Sequence, residues 1–121
     1  MSQTPASLAL LNLDVFAEND PVRRRALIDE HYAEDAVFYD ANDGVHRGRE
    51  AIDTIAGIIK ALHPDYKYQP IAEPDVTGNS GRVRWESGRP GDTPEYAGTD
   101  VVITQGDRIV AIYLYFDNLP K

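Results

Sequence analysis

"YAGTDVVITQGDRIVAIYLYFD", residues 96–117, holds two runs of strand-forming residues on either side of a Gln-Gly-Asp corner. Valine, isoleucine, threonine and tyrosine suit a pleated surface, and a glycine between two such runs marks a tight hairpin. In the second run Ile112, Leu114 and Phe116 alternate with Tyr113 and Tyr115, so both faces of that strand are apolar. In the first run Val101 and Ile103 oppose Asp100 and Val102. Aspartate is depleted in strand interiors, so Asp100 needs a reason to be there. An ion pair with a nearby arginine is one reason. Chemistry is another, because burial among apolar groups raises a carboxyl's pKa and makes a general acid or base of it.

Toward the N-terminus the extended pattern continues. In "RVRWES" (82–87), Val83 and Trp85 oppose Arg82, Arg84 and Glu86, and Trp85 is expected to face inward. "TGNSG" (77–81) turns into that strand, and the proline-broken "YKYQPIAEPDV" (66–76) reads as an edge strand. "GRPGDTPE" (88–95) is a longer loop. The first half has a different period. Leu8, Leu11, Val15 and Phe16 recur at helical spacing, and "NDP" (19–21) starts a second helix, with Asp20 as cap and Pro21 in the first turn. That helix carries Leu27, Ile28 and Tyr32 on one side and is expected to end near Ala33. A third helix after Gly48 has Ile52, Ile55, Ile59 and Leu62 on one stripe and stops before Pro64.

Between the second and third helices, "DAVFY" (35–39) forms a short strand with Ala36, Phe38 and Asp40 on one face and Val37 and Tyr39 on the other. Asn42, Asp43 and Gly44 make a turn. That turn explains itself, and Asp40 could serve it by accepting its amides. If the Phe38 face is inward, however, Asp40 is inward too, a second buried carboxylate on another strand. Two such groups in one pocket can divide acid and base roles. Helices followed by a four-stranded meander indicate an α+β fold whose sheet is covered on one side. Three helices can hardly cover both faces of a sheet whose last strand is apolar on both. A second copy packed on the open face, a homodimer through the sheet, is therefore expected.

At 121 residues the chain reads as one domain, 1–121. Its formal net charge of −8 argues against nucleic acid as a partner, since phosphates demand a positive surface. The basic run Arg23-Arg24-Arg25 sits among Asp20, Asp29 and Glu30 and reads as a solvated helix face. The longest apolar run, Ile109 to Phe116, has eight residues, too few to cross a membrane. The N-terminal stretch lacks a basic start and is broken by Asp14, so it reads as a helix, not a signal peptide, and cytoplasmic location is the default. Without cysteine there is no disulfide framework or thiol nucleophile. His31, His46 and His63 have no i, i+4 pair, so no metal site is indicated, and His63 is expected in solvent. "DANDG" has the wrong acidic spacing for a calcium loop, with Ala51 where the bidentate glutamate belongs.

"NDPVRRRALIDEHYAEDAVFYD" (19–40), "DGVHRGREAI" (43–52) and "GTDVVITQGDRIVAIYLYFDNLP" (98–120), in that order, resemble the SnoaL-like branch of the superfamily named for nuclear transport factor 2. The resemblance covers nearly the whole chain. It implies a curved antiparallel or mixed sheet forming a cone around the three N-terminal-half helices, with a pocket in the cone. It does not fix an activity, because this fold hosts isomerases, cyclases, dehydratases, hydrolases and non-catalytic proteins. In ketosteroid isomerases of the superfamily, an aspartate closing the first strand moves the proton. A protonated aspartic acid on the penultimate strand donates to the oxyanion, beside a tyrosine from the first helix. By position Asp40 resembles the first and Asp100 the second, while the tyrosine's place falls near Asn12. Polyketide cyclases and limonene epoxide hydrolases of this fold carry an inward aspartate on the last strand, whose place here is near Leu114. Arg84 and Glu86 offer only part of the hydrolase relay.

Two functions are therefore in view. One is an acid–base enzyme working without metal or cofactor on an apolar ring or polyketide-like small molecule. Asp40 and Asp100 would be catalytic, Asn12 and Tyr32 would orient the substrate, and Phe38, Trp85 and Phe116 would be apolar walls. The other is a non-catalytic ligand-binding or dimerisation module of the same fold, in which Tyr32 is a core tyrosine with a satisfied hydroxyl.

Overall fold

A computed structural model of the chain describes residues 3–42 and 44–117. Asp43 of the expected turn and residues 118–120 of the third motif lie outside the described residues. Helix α1 (Pro5–Ala17) starts from a reciprocal box in which Thr4 and Ser7 each cap the other's backbone, with Pro5 in the first turn. Helix α2 (Pro21–His31) is capped by Asp20, whose carboxylate accepts from the Val22 amide at 2.9 Å. Tyr32 does not extend this helix, contrary to expectation; it is the cap residue and opens strand β1 (Tyr32–Asp40). Strand β2 (Gly44–Arg47) follows as a hairpin partner, and α3 (Arg49–Leu62) begins at Gly48, whose φ of 90° suits a residue without a side chain.

The proline-broken segment forms two short strands, β3 (Lys67–Pro70) and β4 (Asp75–Thr77), and both pair with β5 (Ser80–Gly88). Strands β6 (Tyr96–Gln105) and β7 (Arg108–Phe116) form the expected hairpin. The seven-stranded sheet runs β2-β1-β7-β6-β5-β3, with β4 also on β5. All neighbours are antiparallel except β1 and β7, which run parallel, so the sheet is mixed. The fold is thus α+β, three helices packed inside a curved sheet, with α1 on β5 and β6 and α3 on β1.

Register decides what faces the helices. In β5, Val83 and Trp85 are buried while Arg82 and Arg84 are exposed, so Trp85 faces in and the Arg84–Glu86 pair does not. Between β6 and β7, Thr104 pairs Ile109 and Ile103 pairs Ala111, leaving Val110 as an extra residue. This bulge changes the phase of β7, so that Ile109 and Ile112 are both fully buried although three positions apart. Gly98, paired with Trp85, leaves room for the indole: a Cβ there would stand 2.8 Å from Trp85 Cζ2 and 2.6 Å from the Tyr115 carbonyl oxygen. Gly81 lets the start of α1 lie directly on β5, since a Cβ would press into the Pro5 carbonyl. The core joins Leu8, Val15 and Phe16 of α1 to Ile28, Ile52, Val102 and Ile112. Leu62 departs from the expected stripe, being 70% exposed.

Candidate functional site

Between the helices and the sheet's inner face lies a cavity of about 190 Å³, several times the roughly 30 Å³ share of a water molecule. Its walls are aromatic. Phe16 meets Phe38 edge-on at 5.1 Å, and Trp85 takes Tyr68 at 5.1 Å and Phe116 at 6.2 Å in T-shaped contacts. Such edge-to-face pairs hold the rings in fixed orientations. Phe38, Trp85 and Phe116 thus all reach the space that the sequence assigned to them.

Asp40 and Asp100 both line this cavity, and both are buried. Asp100 stands on β6 in phase with Val102, and its two oxygens are held separately. Asn12 Nδ2 donates to Oδ2 at 2.9 Å, and Trp85 Nε1 donates to Oδ1 at 3.0 Å. Behind it, the Tyr32 hydroxyl donates to Asn12 Oδ1. Because a tyrosine donor fixes that amide oxygen, the amide nitrogen must turn to Asp100. Burial pushes the Asp100 pKa up to about 7 and outweighs the Trp85 and Asn12 hydrogen bonds, with the Asp40 charge adding a smaller push in the same direction. Near neutral pH this carboxyl therefore exists in both forms, which is the condition for exchanging a proton with a ligand.

Asn12 and Tyr32 do not themselves line the cavity; they form a buried chain behind Asp100 and act through it. Asp40 closes β1 and serves two purposes at once. It faces the cavity, and one oxygen accepts the Asn42 amide at 2.9 Å. The turn and the pocket thus share one residue. Leu114 lines the cavity from β7, where other branches of the fold carry an acid.

Several lining residues escaped the sequence. Tyr68 of β3 has its pKa raised, first by burial and then by the Asp100 and Asp40 charges, so its hydroxyl stays a proton donor beside both carboxylates. Lys60 reaches the cavity from α3, with Tyr66, Ser87 and Tyr96. The signal for Lys60 was present: it follows Ile52 and Ala56 at successive four-residue steps, so it continues their inward stripe. His63, expected in solvent, is half-buried, stacks on Tyr66 at 4.1 Å and lines the cavity. His46 instead lies against Phe38 at 5.7 Å. Among the described residues no three His, Asp or Glu side chains are grouped to hold a metal ion, and no helix is long and apolar enough to cross a membrane.

A sheet curved round three helices, with a cavity between them, defines the ketosteroid isomerase-like, cystatin-like class of fold, which solved structures share. The model of the SnoaL-like domain matches residues 12–112, and the chain belongs to that family. It is similar to a candidate isomerase of the SnoaL-like family from Agrobacterium tumefaciens, at 26% identity and a TM-score of 0.87, over 94% of this chain and 97% of that one. A candidate polyketide cyclase from Sinorhizobium meliloti matches at 25% identity and a TM-score of 0.69, over 88% and 92%. A ketosteroid isomerase-like protein from Catenulispora acidiphila, solved with trimethylamine, shares the fold at 18% identity and a TM-score of 0.74, over 95% and 88%. No curated protein matches the chain.

Proposed function

We propose that this SnoaL-like protein is an acid–base enzyme of the isomerase, cyclase or dehydratase kind, acting on an apolar ring or polyketide-like small molecule. The observation that carries the reading is the pair of buried carboxyls, Asp40 and Asp100, in one aromatic-walled cavity, with Asp100 poised near neutrality. In this scheme Asp40 takes a proton from a carbon beside a carbonyl. Protonated Asp100 donates to the oxygen on which negative charge develops, and Tyr68 is a second donor within the same walls. Asn12 and Tyr32 orient Asp100, and Phe38, Trp85 and Phe116 enclose the ring. The isomerase and cyclase assignments of the Agrobacterium and Sinorhizobium relatives point the same way.

The second reading is a passive binding module. It is favoured by the hydrogen bonds that occupy both Asp100 oxygens and one Asp40 oxygen. The two readings part in heavy water. With cyclic ketones such as 3-cyclohexenone as probes, proton NMR of the enzyme reading shows deuterium entering the α-carbon, and Asp40→Asn slows it at least about a hundredfold. Ketone binding without any exchange above buffer leaves the passive module. Homodimerisation through the outer sheet face belongs to the same proposal, supported by the exposed Tyr113 and Tyr115 of β7. Cytoplasmic residence, also part of it, is tested by cell fractionation.

A further inference from the structure

Lys60 occupies an inward position of α3 where the stripe begun by Ile52 and Ala56 calls for an apolar residue. Its side chain is nearly sequestered, with the residue only 5% exposed, yet it borders the cavity. Nζ donates to the Tyr66 carbonyl oxygen at 2.6 Å. An ammonium carries three N–H donors, so this bond accounts for one of them. Among the described residues no carboxylate stands within ion-pair distance of Nζ. A buried cation without a counter-ion is costly, and here burial, followed by the Lys67 charge, lowers the lysine's pKa.

The placement of charge within the cavity gives that cost a use. The opposing charges that bear most on Lys60 are Asp65 and Glu18, whereas Asp100 feels Asp40. Lys60 thus shares one cavity with Asp40, Asp100 and several aromatic rings, while among the described residues no ion pair ties its ammonium to either carboxyl. We propose that Lys60 receives the carboxylate of the substrate, which is thus an apolar monocarboxylic acid whose reactive carbon faces Asp40 and Asp100. The neighbours of Lys60 favour a monoanion over a phosphate. They include the stacked rings of His63 and Tyr66 with Tyr96 beside them, and among the described residues Lys67 is the one further cation that bears on Lys60, short of the cluster of cations and amides that a doubly charged group requires. The inference rests on the reading of the cavity as a small-molecule site, and the experiment separates the two.

Benzoate and benzamide have nearly the same shape and differ in charge, so their affinities can be compared by calorimetry at pH 6.5. Benzoate should bind at least about tenfold tighter, the factor expected of one charge-assisted hydrogen bond, and Lys60→Met should abolish that preference while still binding benzamide. In wild-type protein labelled at its three lysines, benzoate should shift the Lys60 ε-carbon resonance, a readout that needs no variant. Equal affinity for the two probes overturns the carboxylate inference and leaves the cavity as a binding site. A benzoate preference that survives Lys60→Met, or a Lys60 resonance unmoved by benzoate, overturns it as well. If neither probe binds, both readings fall.

Discussion

Tyr32 donates to Asn12 Oδ1, and that bond decides which way the Asn12 amide stands and therefore what Asp100 meets. Two donors, Asn12 Nδ2 and Trp85 Nε1, converge on Asp100, and burial still keeps its pKa near 7 against a starting value of 3.8. The sign for stability follows. Unfolded, the group loses its proton near pH 4; folded, it keeps it until about 7. In that window the native chain binds the extra proton, so this group's contribution falls as pH rises and levels off above 7. At about 1.4 kcal/mol per unit, the loss amounts to a few kcal/mol. Asp100→Asn offers a single acceptor to two donors, so it should destabilise by about 1–3 kcal/mol at pH 5. Its deficit should shrink or reverse by pH 8, because the variant has nothing to ionise. Urea unfolding at both pH values measures this, and parallel profiles for the two proteins would refute the assignment. Asp100 was legible in the sequence because an aspartate in a strand interior is conspicuous. The work of Tyr32 was not, since it depends on a helix ending at His31, two residues short of the expected end near Ala33.

Elements whose limits are set locally could be read directly: Asp20 and Pro21 at the start of α2, and Gly106 between β6 and β7. Elements set by distant partners could not. Strand β2 exists because β1 offers it an edge, and β3 and β4 are separate because both follow β5 around the prolines. For the same reason the sequence picked out cavity-lining residues on the central strands and passed over Tyr68, which it left on an unremarkable edge. The contact of β6 with β5 at Gly98 yields a prediction at this scale. Gly98→Ala would drive a methyl against both the Tyr115 carbonyl and the Trp85 ring. It should cost about 1–3 kcal/mol and displace the indole from Asp100. Trp85 is the chain's single tryptophan, so its fluorescence reports the displacement directly. An unchanged emission spectrum with wild-type stability would show that the pocket wall is softer than these contacts imply.

At the scale of the molecule, the helices take the sheet's inner face and leave an outer one on which Tyr39 stacks against Tyr113 at 4.6 Å beside the exposed Tyr115. A second copy there should give light scattering at twice the 13.5 kDa chain mass at micromolar concentration, reduced to a single mass by Tyr113→Glu. A 13.5 kDa species in the wild type would defeat the dimer. The sheet also joins regions far apart in sequence, for the parallel pairing of β1 with β7 sets Phe38 against Ile112. Contacts of such separation form late. During synthesis, at roughly 5–20 residues per second, Asp40 leaves the ribosome several seconds before the strand that seats it. A nascent chain can complete its helices early, but the cavity lacks its Leu114 and Phe116 wall until β7 has emerged. The cavity is therefore completed in one step, when β7 clears the ribosome.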